Sequence, residues 1–212
     1  MHMSRDVALP SVNDANTLSV EISKMTPRKS ALQSPDLGVT SPWNNGQLFS
    51  SASVEWSTPE DFFAKVEAEF GTFELDAAAT ARNAVCASFL GPELDALSCP
   101  DWSLPEMEKR LVWMNPPWGR GIGGWVAKAS QQSQEHHLTV VCLLPASTDT
   151  SWWHDVVMAH ADEVRLIRGR LHFVRDDGHT GPCTKGCALV VFRGESATSP
   201  RFSSMTRSHA SI

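Results

Sequence analysis

An apolar run, Val112-Trp113-Met114, passes directly into Asn115-Pro116-Pro117-Trp118-Gly119. Two consecutive prolines fix φ and remove two N–H donors, so the turn presents acceptors with little competition from donors. The side-chain oxygen of Asn115 and the main-chain carbonyl of Pro116 can converge on one planar NH2 group, while Trp118 offers a face for the ring that carries it. Exocyclic and amide amines are poor nucleophiles because their lone pair is delocalised. Accepting both hydrogens returns electron density to the nitrogen and favours the tetrahedral geometry that attacks a methyl sulfonium. This is stabilisation of charge that grows in the transition state, and it needs no strong base. Asn115, Pro116, Pro117 and Trp118 are therefore the candidate catalytic set. The same four residues also suit a plain proline-stiffened turn over a buried indole.

Such a turn must sit on something rigid, and the surrounding chain alternates between two periodicities. Thr58 reads as an N-cap with Pro59 at the first helical position, acids Glu60 and Asp61 follow, and Phe62, Phe63, Val66 and Phe70 mark one face until Gly71. Phe73-Glu74-Leu75-Asp76 reads as a short strand ending in an acid, and residues 81–89 as a short helix. Residues 111–114 form a second strand, and Ile122, Trp125, Val126 and Ala129 have helical spacing. Residues 138–144 are a continuous apolar run closed by Pro145, which suits a central buried strand. Trp152, Trp153, Val156 and Val157 mark a further helix, and residues 163–167, 170–174 and 187–192 supply the last strands. Strand alternating with helix predicts an open α/β sheet with helices on both faces, where ligands lie beyond the carboxyl ends of the strands. Asp76 and Asn115 both fall at such ends.

Composition bounds the rest. The chain has 212 residues, 42% hydrophobic and 20% charged, enough for one core. Residues 1–53 are rich in Ser, Asn, Thr and Pro and read as a disordered or loosely packed arm, and residues 195–212 as a flexible tail. Residues 54–194 remain as the domain, with 19 acidic against 12 basic side chains. No apolar run reaches the ~20 residues of a membrane span and no signal-peptide pattern opens the chain, which points to the cytoplasm. The five cysteines (Cys86, Cys99, Cys142, Cys183, Cys187) are scattered and odd in number, as suits reduced thiols.

The ordered blocks Trp56-Ser-Thr-Pro59, Phe73-Glu-Leu-Asp76-Ala-Ala-Ala, Asp95-Ala-Leu97 with Asp101-Trp102, and Trp113-Met-Asn115-Pro-Pro-Trp118-Gly resemble the phage-type DNA N6-adenine methyltransferases. Later blocks, from Leu143-Leu-Pro145 through His154, Ile167-Arg-Gly169-Arg170-Leu-His-Phe173 and Ala188-Leu-Val-Val-Phe192, continue the likeness over the whole core and neither end. The resemblance implies a Rossmann-like methyltransferase sheet and S-adenosylmethionine as cofactor. It implies that Thr58 and Pro59 lie near the methionine end of that cofactor, with Ala78 in the same binding block. Asp76 would pair with the α-ammonium group and Asp95 would accept from the cofactor's adenine amine. The block after Asp76 is Ala77-Ala78-Ala79 where a nucleotide-binding turn is usually glycine-rich, and Trp118 stands where Tyr or Phe is commoner. Asn-Pro-Pro-aromatic is shared by enzymes acting on DNA or RNA amines and on protein glutamine, so a substrate other than DNA, or a relative that binds DNA without catalysis, stays open.

DNA as partner would require an extruded adenine, its unstacking offset in part by Trp118. Arg120, just past the turn, and Arg168 and Arg170, within a basic stretch that also holds Arg165 and Arg175, are the candidate phosphate contacts, or else a solvated strand edge. A core of this size leaves little room for a recognition domain and predicts short or relaxed sequence specificity. No membrane contact and no obligate protein partner is expected. His172, His179, Cys183 and Cys187 have ligand chemistry for zinc, and Ser147, Asp149 and His154 are the letters of a hydrolytic triad. Cys187 opens an apolar strand and the triad lacks a nucleophile elbow, so neither a metal site nor a hydrolase is expected.

Overall fold

A computed structural model describes residues 56–175, 180–194 and 199–207. The arm at 1–53 lies outside the described residues, as do His179 and both ends of the 195–212 segment. The elements are β1 (Trp56–Ser57), α1 (Glu60–Phe70), β2 (Leu75–Asp76), β3 (Leu111–Met114), α2 (Ile122–His136) and β4 (Thr139–Pro145). A π-helical turn (Trp153–Val157) then runs into the short α3 (Met158–His160), followed by β5 (Glu163–Arg168), β6 (His172–Arg175), β7 (Thr180–Pro182), β8 (Cys187–Phe192) and β9 (Arg201–Thr206).

The apolar runs decide the architecture. β4 and β8 contain almost nothing that wants water, so they pair antiparallel at the centre of a six-stranded sheet of order β2-β3-β4-β8-β5-β9. β2, β3 and β4 are mutually parallel, and β5 and β9 are parallel at the other edge. Period-two alternation sends Val112, Met114, Val140, Cys142, Leu144, Ala188 and Val190 to one face, against Ile122, Val126 and Ala129 of α2 and Trp153 and Val157. Leu111, Trp113, Val141, Leu143, Leu189 and Val191 face the other way, against Phe62, Phe63 and Val66 of α1. Helices thus cover both faces of a mixed α/β sheet. A second, three-stranded antiparallel sheet, β1-β6-β7, adds Phe173 to the α1 side.

Three expectations are corrected. Residues 81–89 are not a helix: the chain folds back so that the Ser88 carbonyl accepts from the Asp76 amide (3.0 Å) and Leu90 N donates to the Asp76 carbonyl (2.9 Å). Asn83 Oδ1 takes the Thr80 amide (2.6 Å) and the Asp76 carboxylate takes that of Val85 (3.2 Å), so the first amide that a helix over these residues would pair is claimed by a side chain. Thr58 does not cap α1, which begins after Pro59 with no side-chain cap, because the Thr58 hydroxyl is engaged elsewhere. The segment 195–212 is not tail throughout, since Arg201–Thr206 add a strand to the edge of the sheet in register with Glu163–Arg168. The cross-link there is ionic. Burial alone would raise the Glu163 carboxyl, yet hydrogen bonds and charge from Arg165 and Arg193 take it below the ordinary carboxylate range. Arg201 joins the same group at 2.9 Å.

Candidate active site

The Asn115 turn grows from the carboxyl end of β3. Asp76 on β2 lies in register with Trp113, two residues before Asn115, so adjacent parallel strands deliver the acid and the amide to the same edge of the sheet. β4 ends beside them at Pro145, and the turn at 147–150 follows, held by Thr150 Oγ1 donating to the Ser147 carbonyl (2.7 Å). α2 begins directly after the turn. At Gly123 an added Cβ would lie 3.2 Å from Trp152 Cβ, so the absence of a side chain there lets α2 approach the helical segment after β4.

Within the turn, Asn115 Nδ2 donates to Thr58 Oγ1 at 3.2 Å across 57 residues of sequence. This bond fixes the plane of the amide and commits its nitrogen as donor, so the acceptor chemistry of the side chain resides in Oδ1. Thr58 is buried and Asn115 half-buried. Pro116 is buried beneath the turn and Pro117 exposed on it. Trp118 is half-buried and wedges between the two apolar clusters, meeting Phe173 edge-on with ring centroids 5.3 Å apart. Its Nε1 is buried with no hydrogen-bond partner among the described residues.

Asp76 is the most perturbed acid among the described residues. Burial pushes its carboxyl up from 3.8 to about 7, against the pull of hydrogen bonds from the amides of Val85 and Ala78. The carboxyl therefore organises the loop that follows β2 and remains short of stabilisation for its charge, the condition that a cationic partner relieves. Of the three alanines after it, Ala77 and Ala79 are buried in the core and Ala78 is half-buried. Asp95 is exposed at φ +40 on the 91–99 turn, its carboxylate accepting from Ser98 Oγ at 2.6 Å.

The basic residues separate. Arg120, Arg168 and Arg170 are exposed, the last two flanking Gly169 at φ +89. Arg165 does not belong with them: it pairs with Glu163 and Glu69 and lies over the Phe70 ring. Among the described residues the Ser147 carbonyl accepts from Thr150 Oγ1, and no nucleophile-and-base hydrogen bond joins Ser147, Asp149 and His154. Cys183 packs beside Cys187, whose thiol burial pushes up to about 12. Two neighbours of the site carry no signal of that role in the sequence. Phe173 stands in an ordinary apolar alternation, and Arg207 stands in the segment read as tail.

The Thr58 link carries a direct test. Thr58→Val keeps the shape and removes the acceptor, so turnover falls about fivefold, the order expected for a lost hydrogen bond of roughly 1 kcal/mol. Cofactor affinity measured by calorimetry changes less than turnover. Equal losses in both would place Thr58 on the cofactor and not on Asn115.

A buried acid and an Asn-Pro-Pro-Trp turn thus stand at the ends of neighbouring parallel strands. A family model described as DNA N-6-adenine-methyltransferase (Dam) matches residues 47–211. The chain belongs to that family. It is 33% identical over 156 residues to the DNA N-6-adenine-methyltransferase of Escherichia phage T1, a match covering 65% of this chain and 62% of that relative. It is 31% identical over 140 residues to the DNA N-6-adenine-methyltransferase of Haemophilus phage HP1 (strain HP1c1), covering 65% of this chain and 77% of the relative. The chain thus spans a little under two thirds of the phage T1 protein. Among the described residues no helix is long and apolar enough to cross a membrane.

Proposed function

We propose that this protein transfers a methyl group from S-adenosylmethionine to the N6 amine of adenine in DNA, on a Rossmann-like sheet. The observation that carries the reading is the Thr58–Asn115 hydrogen bond, which orients an amide acceptor at the carboxyl end of β3 beside the buried Asp76. The family and the phage relatives point to the same substrate.

The donor set fits the cofactor. A carboxyl held near 7 by burial is brought back to its charged form by an ammonium partner, and Asp76 at the strand end is such a carboxyl. Thr58, Pro59 and Ala78 would border the methionine end, and Asp95 would accept from the cofactor's adenine. When bound, S-adenosylmethionine supplies an electrophilic methyl on sulfonium.

The chain's own residues do the rest. Asn115 Oδ1 and the Pro116 carbonyl accept the two amine hydrogens and draw the nitrogen out of conjugation, which is worth most as charge builds on it. Pro117 keeps a competing N–H out of the turn, and Trp118 supplies an aromatic surface for the extruded base. Arg120, Arg168 and Arg170 hold the flanking phosphates. The methylated nitrogen is acidic enough to lose its extra proton to water, so no buried base is required.

Incubation with labelled cofactor and duplex DNA, followed by digestion to nucleosides, should place the label in N6-methyladenine. Label in RNA nucleosides or in protein glutamine, with none in DNA, would assign the same chemistry to another substrate. No label in any acceptor would leave a binding protein only.

A further inference from the structure

β9 does more than extend the sheet. Thr206 is in register with Arg168, which brings the next residue, Arg207, over the β5–β6 turn. An added Cβ at Gly169 would sit 3.8 Å from Arg207 Cδ, and Arg207 Nη1 donates to the Arg170 carbonyl at 3.1 Å. Lys65 of α1 fastens the strand from the other side, donating to the Thr206 carbonyl (2.6 Å) and hydroxyl (2.8 Å). The end of the described chain is thus pinned at both sides, and Arg207 is presented by structure that holds it.

What it is presented to is a cleft of about 330 Å3 lined by Pro59, Asp61, Leu171, His172 and Arg207. That volume lies at the low end of the roughly 300–1,000 Å3 of small-ligand pockets. Pro59 is bonded to Thr58, the residue that orients Asn115, so one wall of the cleft starts a single residue from the amine-accepting turn. Among the described residues only one of the five guanidinium donors of Arg207 is taken, by the Arg170 carbonyl. No ion pair joins Arg207 to Asp61 among the described residues, so the guanidinium is not tied down by the one carboxylate that lines the cleft. Arg168 and Arg170, both exposed, stand on either side of the same turn. On a domain with an excess of acids, this is a local concentration of positive charge beside the acceptor turn.

We infer that this cleft seats a backbone phosphate of the DNA strand carrying the adenine, with Arg207 as its principal ligand and His172 on its wall. The inference rests on the DNA reading above. A phosphate so close to the turn would fix the distance from backbone to extruded base, which is how sequence-independent contacts set register.

The test uses the full chain and a fluorescent duplex, with binding measured by anisotropy across a salt series. Arg207→Gln should weaken binding on the order of tenfold and reduce the slope of log affinity against log salt by about 0.9, the change for one lost phosphate contact. Arg207→Lys should retain the slope. Asp61→Asn, which removes the one acid from the cleft, should tighten binding a few-fold. An unchanged slope in Arg207→Gln overturns the inference even if affinity falls, because loss of the Arg170 contact alone releases no counterion. Weaker binding by Asp61→Asn overturns it as well. Failure of the wild type to methylate or bind DNA would instead remove the functional reading beneath it.

Discussion

Asn115→Ala should lower turnover on DNA by about a hundred- to a thousandfold, the range for removing one preorganised polar group from a transition state, and leave S-adenosylmethionine affinity within about twofold. The split follows from geometry. Asn115 is tied to Thr58 at 3.2 Å and follows β3, whereas the acid proposed for the cofactor is on β2. Removing Oδ1 therefore takes away an interaction that strengthens only as the amine nitrogen gains charge, and such a loss appears in kcat and in kcat/KM alike. Asn115→Asp is the informative companion. It keeps an acceptor oxygen, and the Thr58 hydroxyl can turn from acceptor to donor toward it, so activity should fall less than in the alanine variant. Single-turnover rates and calorimetry on the same preparations separate the two effects. An alanine variant that keeps its turnover would remove Asn115 from the chemistry and leave the turn as stiffened loop, and an aspartate variant as inactive as alanine would mean that an acceptor oxygen is not what Asn115 supplies.

Much of the fold and of the site is written in the amino-acid sequence, and the reasons differ from element to element. β3, β4 and β8 are legible because fully buried strands have no choice of composition, and their apolar runs are too short for long helices. The Asn115 turn is legible because paired prolines after an apolar strand allow few conformations. Residues 81–89 mislead because Ala77-Ala78-Ala79 and the residues after them have fair helix propensity, and nothing local announces that a buried carboxylate will claim the amides of Ala78 and Val85. Thr58 misleads in a related way. A hydroxyl before proline satisfies the requirements of a cap, and only the fold reveals that Asn115 claims it first. β9 is hidden because an edge strand exposed on both faces has no alternation to display: Arg201, Ser203, Phe202 and Ser204 are all exposed. Its place is fixed by main-chain pairing to β5 and by Arg201 reaching Glu163, neither of which is a local signal. With that strand goes Arg207, the one cation of the cleft that sequence reasoning leaves out.

The second large effect belongs to Asp76 and to pH. With its carboxyl near 7 in the folded chain against 3.8 for the free group, the folded form holds its proton more tightly than the unfolded one. Stability of the cofactor-free protein therefore falls as pH rises from about 4 to about 7 and levels off above, by an amount of order 4 kcal/mol at most. Binding an ammonium beside the carboxylate reverses the preference, so below about pH 7 association must expel the proton, and affinity should rise about tenfold per pH unit up to that point. Above it the rising limb ends. The ligand's own α-amino group, with an ordinary value of about 7.7–8.0, then produces a falling limb. Asp76→Asn should lose the rising limb, keep the falling one, and bind about ten- to a hundredfold more weakly at neutral pH, as befits one charge-assisted hydrogen bond. Calorimetric titrations from about pH 5.5 to about pH 8.5 on both proteins read all three features. Wild-type affinity that stays flat below neutrality would mean that the Asp76 carboxyl never meets the ammonium, and that its work is confined to folding residues 77–90 back onto β2.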